Sequence, residues 1–354
     1  MRNTLIISIS LMAAAPTLVA QADSAGSFDP ALLARPEVSR YLDYFTGPAR
    51  DRMSQWLARS TQYRSTIERR LTDEGLPADF SFLPVIESGF SNGATSRAGA
   101  AGMWQLIPET ARGLGLRVDR WIDERRDPDR ATDAAVRHLR DLTRTFGSPL
   151  LAAAAYNSGA GRVNRSLSRL SPSEQDGGDA FFALADRGML PKETRDYVPQ
   201  LLAAAAIGRN PARYGFTVGP RSAPPFDSIR IDRPIRLTTA ETAMGLDHSS
   251  LGDLNPQMIR GVTPPGGSWL KVPGGRRDNL TGLLAGLPSV TLPTTVPSAP
   301  ELGLLIRVKR GESLEDIARD YRVDEASLRR VNAIPGWLRI RPGQALRLPA
   351  TERR

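Results

Sequence analysis

The feature that most constrains this chain is a change of hydrophobic period near Phe216. Upstream, apolar residues return every three or four positions, as in Met53, Trp56, Leu57, Tyr63, Ile67 and Leu71, the spacing of one helix face. Residues 131–146, 150–156 and 197–207 read the same way. Gly and Pro punctuate at Gly75-Leu76-Pro77, Gly147-Ser148-Pro149 and Asn210-Pro211, as helix boundaries require. Downstream, Ile229-Arg230-Ile231 alternates as a strand does. One mostly α domain followed by small strand-bearing units is the expectation.

The downstream part repeats itself. Ile229-Arg230-Ile231 aligns with Ile306-Arg307-Val308, and 250–255 aligns at the same offset with 327–332, each ending in Asn. Leu270-Lys271-Val272-Pro273 and Leu346-Arg347-Leu348-Pro349 close the two copies with one residue of slip. Each unit therefore reads as strand, two helices, strand. Between them, a stretch rich in Pro, Thr and Ser reads as a semi-rigid linker.

Arg2, an apolar run from Leu5, and Ala20-Gln21-Ala22 have the form of an export signal cleaved after Ala22. The run is too short for the roughly 20 residues of a membrane span. The chain has no cysteine, so an exported protein of this kind depends on core packing instead of disulfides, and an N-terminal lipid-bearing cysteine is excluded. A soluble periplasmic protein is expected. Net charge is +9 and only three of 47 basic residues are lysines. That surface suits an acidic wall polymer better than nucleic acid in an exported chain, although arginine bias explains it equally well.

Two histidines, His138 and His248, lie far apart, so no metal is expected, and no phosphate loop or serine-nucleophile elbow is present. No cofactor is implied. The informative segment ends on a carboxylate: Phe80, Leu83, Val85 and Ile86 lead into Glu87. Apolar surroundings raise a carboxyl pKa by disfavouring its charged form, which a general acid for glycosidic cleavage needs.

Glu87-Ser88, Gly102-Met103-Trp104-Gln105, Ala155-Tyr156-Asn157 and Glu193-Thr194 with Tyr197-Val198 follow one another in order. This series resembles the soluble lytic transglycosylase domains, in particular those of the membrane-bound D type, over about residues 42–216. The resemblance implies a goose-lysozyme-like fold in which Glu87 is the only catalytic carboxyl. It would protonate the glycosidic oxygen between N-acetylmuramic acid and N-acetylglucosamine, then take the proton of the muramic acid C6 hydroxyl as a 1,6-anhydro ring closes. It also implies substrate-binding roles for Ser88, Met103, Gln105, Tyr156, Asn157 and Tyr197. Ser88 and Gln105 would donate hydrogen bonds near the scissile sugar, and Met103 would line the cleft floor. Tyr156 would pack on the sugar, Asn157 would bind an N-acetyl group or orient Glu87, and Tyr197 would tune Glu87. Met103 and Tyr156 read equally well as core residues. An internal hydroxyl of the sugar replaces water as the attacking group, so the resemblance requires neither a positioned water nor a second carboxylate, and Asp119, Asp123, Glu124 and Asp127 read as solvated ion pairs.

The second repeat resembles a LysM carbohydrate-binding module through Val308 to Leu314, Ile317-Ala318, Val331-Asn332 and Arg341-Pro342-Gly343-Gln344. That resemblance implies a sugar groove formed by Gly311, Glu312, Ser313, Leu314, Asn332 and Ile334. In the first repeat Pro234-Ile235-Arg236-Leu237 replaces Gly311-Glu312-Ser313-Leu314, losing a turn and a hydroxyl. A degenerate LysM-like spacer packed on the catalytic domain is the expectation there.

The plan is thus a signal peptide (1–22), a helical lytic transglycosylase domain (23–216), a degenerate LysM-like βααβ domain (217–275), a linker (276–303) and a βααβ LysM domain (304–350). The partner implied is the peptidoglycan glycan strand. Alternatives are a lysozyme-like hydrolase and a non-catalytic peptidoglycan-binding protein.

Overall fold

Local chemistry starts and stops the helices that carry the site. The computed structural model describes residues 27–171, 174, 180–219, 224–275 and 277–291, and, further on, 305–308, 312–321, 323–332, 334, 340 and 343–348. The export signal and Gly311 lie outside these. Helices α1 (Pro36–Thr46), α2 (Arg50–Ser60), α3 (Arg64–Asp73), α4 (Leu83–Ser88) and α5 (Pro108–Gly113) come first. They are followed by α6 (Pro128–Phe146), α7 (Pro149–Ser158), α8 (Ala160–Leu167), α9 (Ala180–Asp186) and α10 (Lys192–Arg209). Asp127 caps α6 by accepting from the amides of Asp129 and Arg130 ahead of Pro128, and Gly147 ends it in a left-handed turn.

Helix α10 is the axle. Tyr197, Val198 and every residue from Leu201 to Gly208 are buried, so neighbours surround it. Its alanines and those of α7 let backbones approach closely. A side chain on Gly208 would run into the ring of Phe82, 1.9 Å from its carbon. Pro199 sits within α10, where it deletes one backbone donor without ending the helix.

The downstream units are βααβ, as expected. Strands β1 (Phe226–Ile231) and β2 (Ser268–Pro273) pair antiparallel with Ile229 opposite Leu270. Helices α11 (Leu237–Met244) and α12 (Ser250–Leu254) lie between them. Asn255 ends α12 and pins it to β2: its amide donates to Lys271 O at 2.7 Å, and its Oδ1 accepts from the Lys271 amide at 2.8 Å. Residues expected to be linker instead form α13 (Arg277–Gly286), because Leu280 and Leu284 drop into this unit's core. The second unit repeats the order with β3 (Leu305–Arg307), α14 (Leu314–Asp320), α15 (Glu325–Val331) and β4 (Ala345–Arg347), around Ile317, Leu328 and Leu346.

The stretch expected to be solvated is a seam. Trp121 and Ile122 belong to the hydrophobic core of the first βααβ unit. The amide of Asp123 donates to Gln257 O at 2.9 Å, and Arg260 donates to Arg120 O at 2.7 Å. The Lys271 ammonium bridges Asp127 at 3.1 Å and Asp129 at 2.8 Å. Asp123 and Arg125 are themselves buried and paired. Charge density in the sequence suggested water; mutual pairing makes burial tolerable instead.

Candidate active site

Helix α4 is six residues long and its last turn presents Glu87. Gly89 ends it with φ of 60°, and a side chain there would strike the Trp56 indole at 2.1 Å. The exit from the helix is therefore fixed by a glycine at a close approach. Glu87 is partly exposed, on a helix whose other side is core.

The Tyr197 hydroxyl, from α10, donates to Glu87 Oε1 at 2.5 Å. Burial pushes the Glu87 carboxyl up to about 7; the Tyr197 hydrogen bond pulls it down, and the nearby Glu193 carboxylate adds to the rise. At neutral pH a substantial fraction of Glu87 therefore holds a proton. Both tyrosines facing it, Tyr156 and Tyr197, are raised well above the ordinary phenol value by burial and by the charge of Glu87, so they remain hydrogen-bond donors. Glu193 belongs to the motif series, which by itself implies no role for it. Its position one helical turn before Tyr197 places both on one face of α10.

The remaining motif residues converge on this point, but several serve it from beneath. Tyr156, on α7, donates to Trp104 O at 2.7 Å and its ring lies 5.6 Å from that of His138. Asn157 accepts from Thr194 Oγ1 at 2.8 Å, which ties α7 to α10. The Ser88 hydroxyl donates to Met103 O at 2.9 Å and accepts from the Ser91 amide at 3.1 Å. Its proton is committed to the protein, whereas the expectation had it donating to sugar. Gln105 stands at φ 48° and donates to Gly102 O at 2.7 Å. Met103 is 0% exposed, so it is core and lines no cleft floor in this conformation. Trp104 is equally buried, with its indole N–H on Thr132 at 3.0 Å.

Sequence reasoning missed the support for this loop. Arg125 grips Asp123 through two nitrogens at 2.8 and 2.9 Å and donates to the carbonyls of Gly99 and Leu106 at 2.7 and 3.0 Å. A side chain on Gly102 would meet Arg125 O at 1.7 Å. The Asp-x-Arg spacing was visible, but nothing local tells a buried fork from a surface pair.

In the second βααβ unit, the side chains expected to bind sugar are mostly structural. Ser313 caps α14 in a reciprocal box with Asp316. Leu314 and Ile334 are buried in that unit's core, so their side chains offer no groove surface. The Asn332 amide donates to Leu328 O at 2.7 Å, the bond Asn255 makes to Leu251 O in the first unit. Glu312 is partly exposed. Among the described residues no cluster of His, Cys, Asp and Glu could hold a metal, and no helix is long and apolar enough to cross a membrane.

Three family profiles match the chain: the transglycosylase SLT domain over residues 65–176, the LysM-like domain of lytic transglycosylase MltD over 225–289, and the LysM domain over 306–349. Glu193 and Tyr197 lie beyond the first match. The chain is 32% identical over 303 residues to the membrane-bound lytic murein transglycosylase D of Escherichia coli K12, covering 82% of this chain and 64% of that relative. It thus spans less than two thirds of that relative's length. A peptidoglycan transglycosylase of phage T7, gp16, is 38% identical over 122 residues, 34% of this chain and 8% of that protein. Among solved structures, a lytic transglycosylase Slt from Pseudomonas aeruginosa is similar at 27% identity and a TM-score of 0.36, over 45% of this chain and 25% of that one.

Proposed function

We propose that this chain, an SLT domain joined to an MltD-type LysM-like domain and a LysM domain, is a lytic transglycosylase that cuts peptidoglycan glycan strands in the periplasm. The observation that carries the reading is the Glu87–Tyr197 pair: a desolvated carboxyl near pKa 7 in hydrogen-bond contact with a phenol that stays protonated. A group titrating near the working pH can give a proton and take one back, which suits both steps. Protonated Glu87 gives its proton to the β-1,4 glycosidic oxygen between N-acetylmuramic acid and N-acetylglucosamine as that bond breaks. The resulting carboxylate, steadied by the Tyr197 hydroxyl, removes the proton of the muramic acid C6 hydroxyl. That oxygen closes on the anomeric carbon and the 1,6-anhydro ring forms. Charge on Glu87 grows only between the two events, and Tyr197 stabilises it there.

The test is mass spectrometry of fragments released from purified sacculi. Fragments lighter than lysozyme products by one water are expected. Full-mass fragments with a free reducing end would replace this reading with a hydrolase, and Glu193 would then be the carboxylate to examine as base for water. No release, with sacculus binding intact, would leave a wall-binding protein.

A further inference from the structure

A cavity of about 480 Å³ lies between the helical domain and the first βααβ unit. Tyr63 and Asn92 contribute from one side, and Phe226, Asp253, Leu254 and Lys271 from the other. Asn92 follows Glu87 by five residues, so the two α-carbons are at most about 18 Å apart. The Tyr63 ring stacks on Phe90 with the planes 3° apart, and Phe90 directly follows the glycine that ends the Glu87 helix. The cavity wall is therefore continuous with the active-site turn.

Its polar groups are unequally satisfied. The Asn92 amide nitrogen donates to the Tyr63 hydroxyl at 3.0 Å, whereas its Oδ1 is buried with no donor among the described residues. A buried acceptor without a donor is uncommon and costly. The Tyr63 hydroxyl accepts that bond and keeps its own proton free to give. One free acceptor beside one free donor matches a peptide amide, which offers an N–H and a carbonyl. Phe226, 42% exposed, and Leu254 supply apolar surface for small aliphatic side chains.

The charges set the sign. Lys271 is divided between Asp127 and Asp129, and Arg70 between Asp129 and Asp133. Asp253 is exposed and carries no ion pair among the described residues. Of the charged groups that line the cavity, Lys271 and Arg70 are thus answered by Asp129, and Asp253 is the carboxylate left without a cation among the described residues. That carboxylate can take a cation.

We propose that the cavity is a binding site for the peptide branch of the wall polymer, with a peptide amide held by Asn92 and Tyr63 and a free ammonium group held by Asp253. The proposal rests on the reading of the substrate as peptidoglycan. It gives the LysM-like domain a task other than its own sugar groove: it supplies half of a shared peptide site.

The experiment is calorimetric titration of the full chain with a free wall tetrapeptide that contains meso-diaminopimelate, and with the same peptide N-acetylated on its side-chain amine. Asp253→Asn, Glu87→Gln and the matched surface control Asp247→Asn are titrated alongside. The free peptide is expected to bind the parent, Glu87→Gln and Asp247→Asn alike. Asp253→Asn and acetylation should each weaken binding about three- to five-fold, the size of an exposed ion pair, and together no more than either alone, the mark of a direct contact. Absence of peptide binding to the parent overturns the site. Additive effects, or none, overturn the assignment to Asp253. Failure of the catalytic reading would look different: peptide binding would persist while sacculi yielded no anhydro fragments.

Discussion

The site at Glu87 and the seam at Lys271 both draw carboxylates partly out of water, and they do so in opposite ways. Burial would raise the Asp129 carboxyl too, but the Lys271 ammonium and the Arg70 guanidinium outweigh it and hold Asp129 below its ordinary 3.8. Among the described residues no cation answers the burial of Glu87. It has a phenol, and a second carboxylate near enough to oppose it. A carboxylate with cations becomes a fastener; one left with a neutral donor becomes an acid. The difference lies in the partner as well as in the depth of burial, which is greater at Glu87.

The largest effect that would break this contrast is on catalysis. Glu87→Gln keeps the shape and the Tyr197 contact but has no proton to transfer, so release of anhydro fragments should fall by about 10²–10⁴-fold. Undiminished release would place the acid elsewhere. On the other side, Lys271→Met leaves Asp127 and Asp129 without their ammonium. Urea unfolding should show a loss of about 2 kcal/mol at neutral pH, less than for a fully buried pair because Asp129 is partly exposed. Because the Asp129 carboxyl is held low, its stabilising pairing is full above about 3.8 and lost as pH falls below that value. The parent and Lys271→Met should therefore converge in stability in acid.

Glu87 should show the reverse sign in stability. Its folded carboxyl is near 7 against an ordinary 4.5, so between those values the unfolded chain has given up a proton that the folded one retains. Parent stability then declines as pH rises from 4.5 through 7. Glu87→Gln should be more stable than the parent by about 1–3 kcal/mol at pH 8 and equal to it at pH 4, read from melting temperatures across that range. The smallest effect is that of Tyr197→Phe. Removing a bond that favours the charged form lets Glu87 rise further, so the alkaline limb of the activity profile should move to higher pH. A move to lower pH would mean Tyr197 holds the protonated form instead.

The helical axle, the two βααβ units and the meeting of Glu87, Tyr156, Asn157 and Tyr197 were legible because periodicity and motif order report local structure and spacing. Burial against a distant partner leaves no such mark. Trp121 and Ile122 sit among arginines and aspartates, so their window reads as polar until strands more than a hundred residues away cover it. Met103 reads equally as cleft floor or as core, and the structure makes it core because the loop is turned inward by Arg125, whose fork on Asp123 needs both side chains desolvated together. Ser88 was expected to serve the sugar, but a hydroxyl cannot show in sequence that a carbonyl fifteen residues on has taken its proton. The linker begins later than the sequence suggests because α13 is short, and three leucines in ten residues, Leu280, Leu283 and Leu284, make a faint periodic signal.

The seam also bears on the order in which the molecule is made. Everything around Glu87 leaves the ribosome before Gln257 and Lys271 do, yet the segment that braces the Gln105 loop begins with Trp121 and Ile122, whose cover is translated later. Until the first βααβ unit arrives, the nascent helical domain presents two large apolar side chains and two aspartates without their lysine. A chain cut after residue 216 would keep that face uncovered, so the boundary that the hydrophobic period marks in the sequence runs through a packed seam.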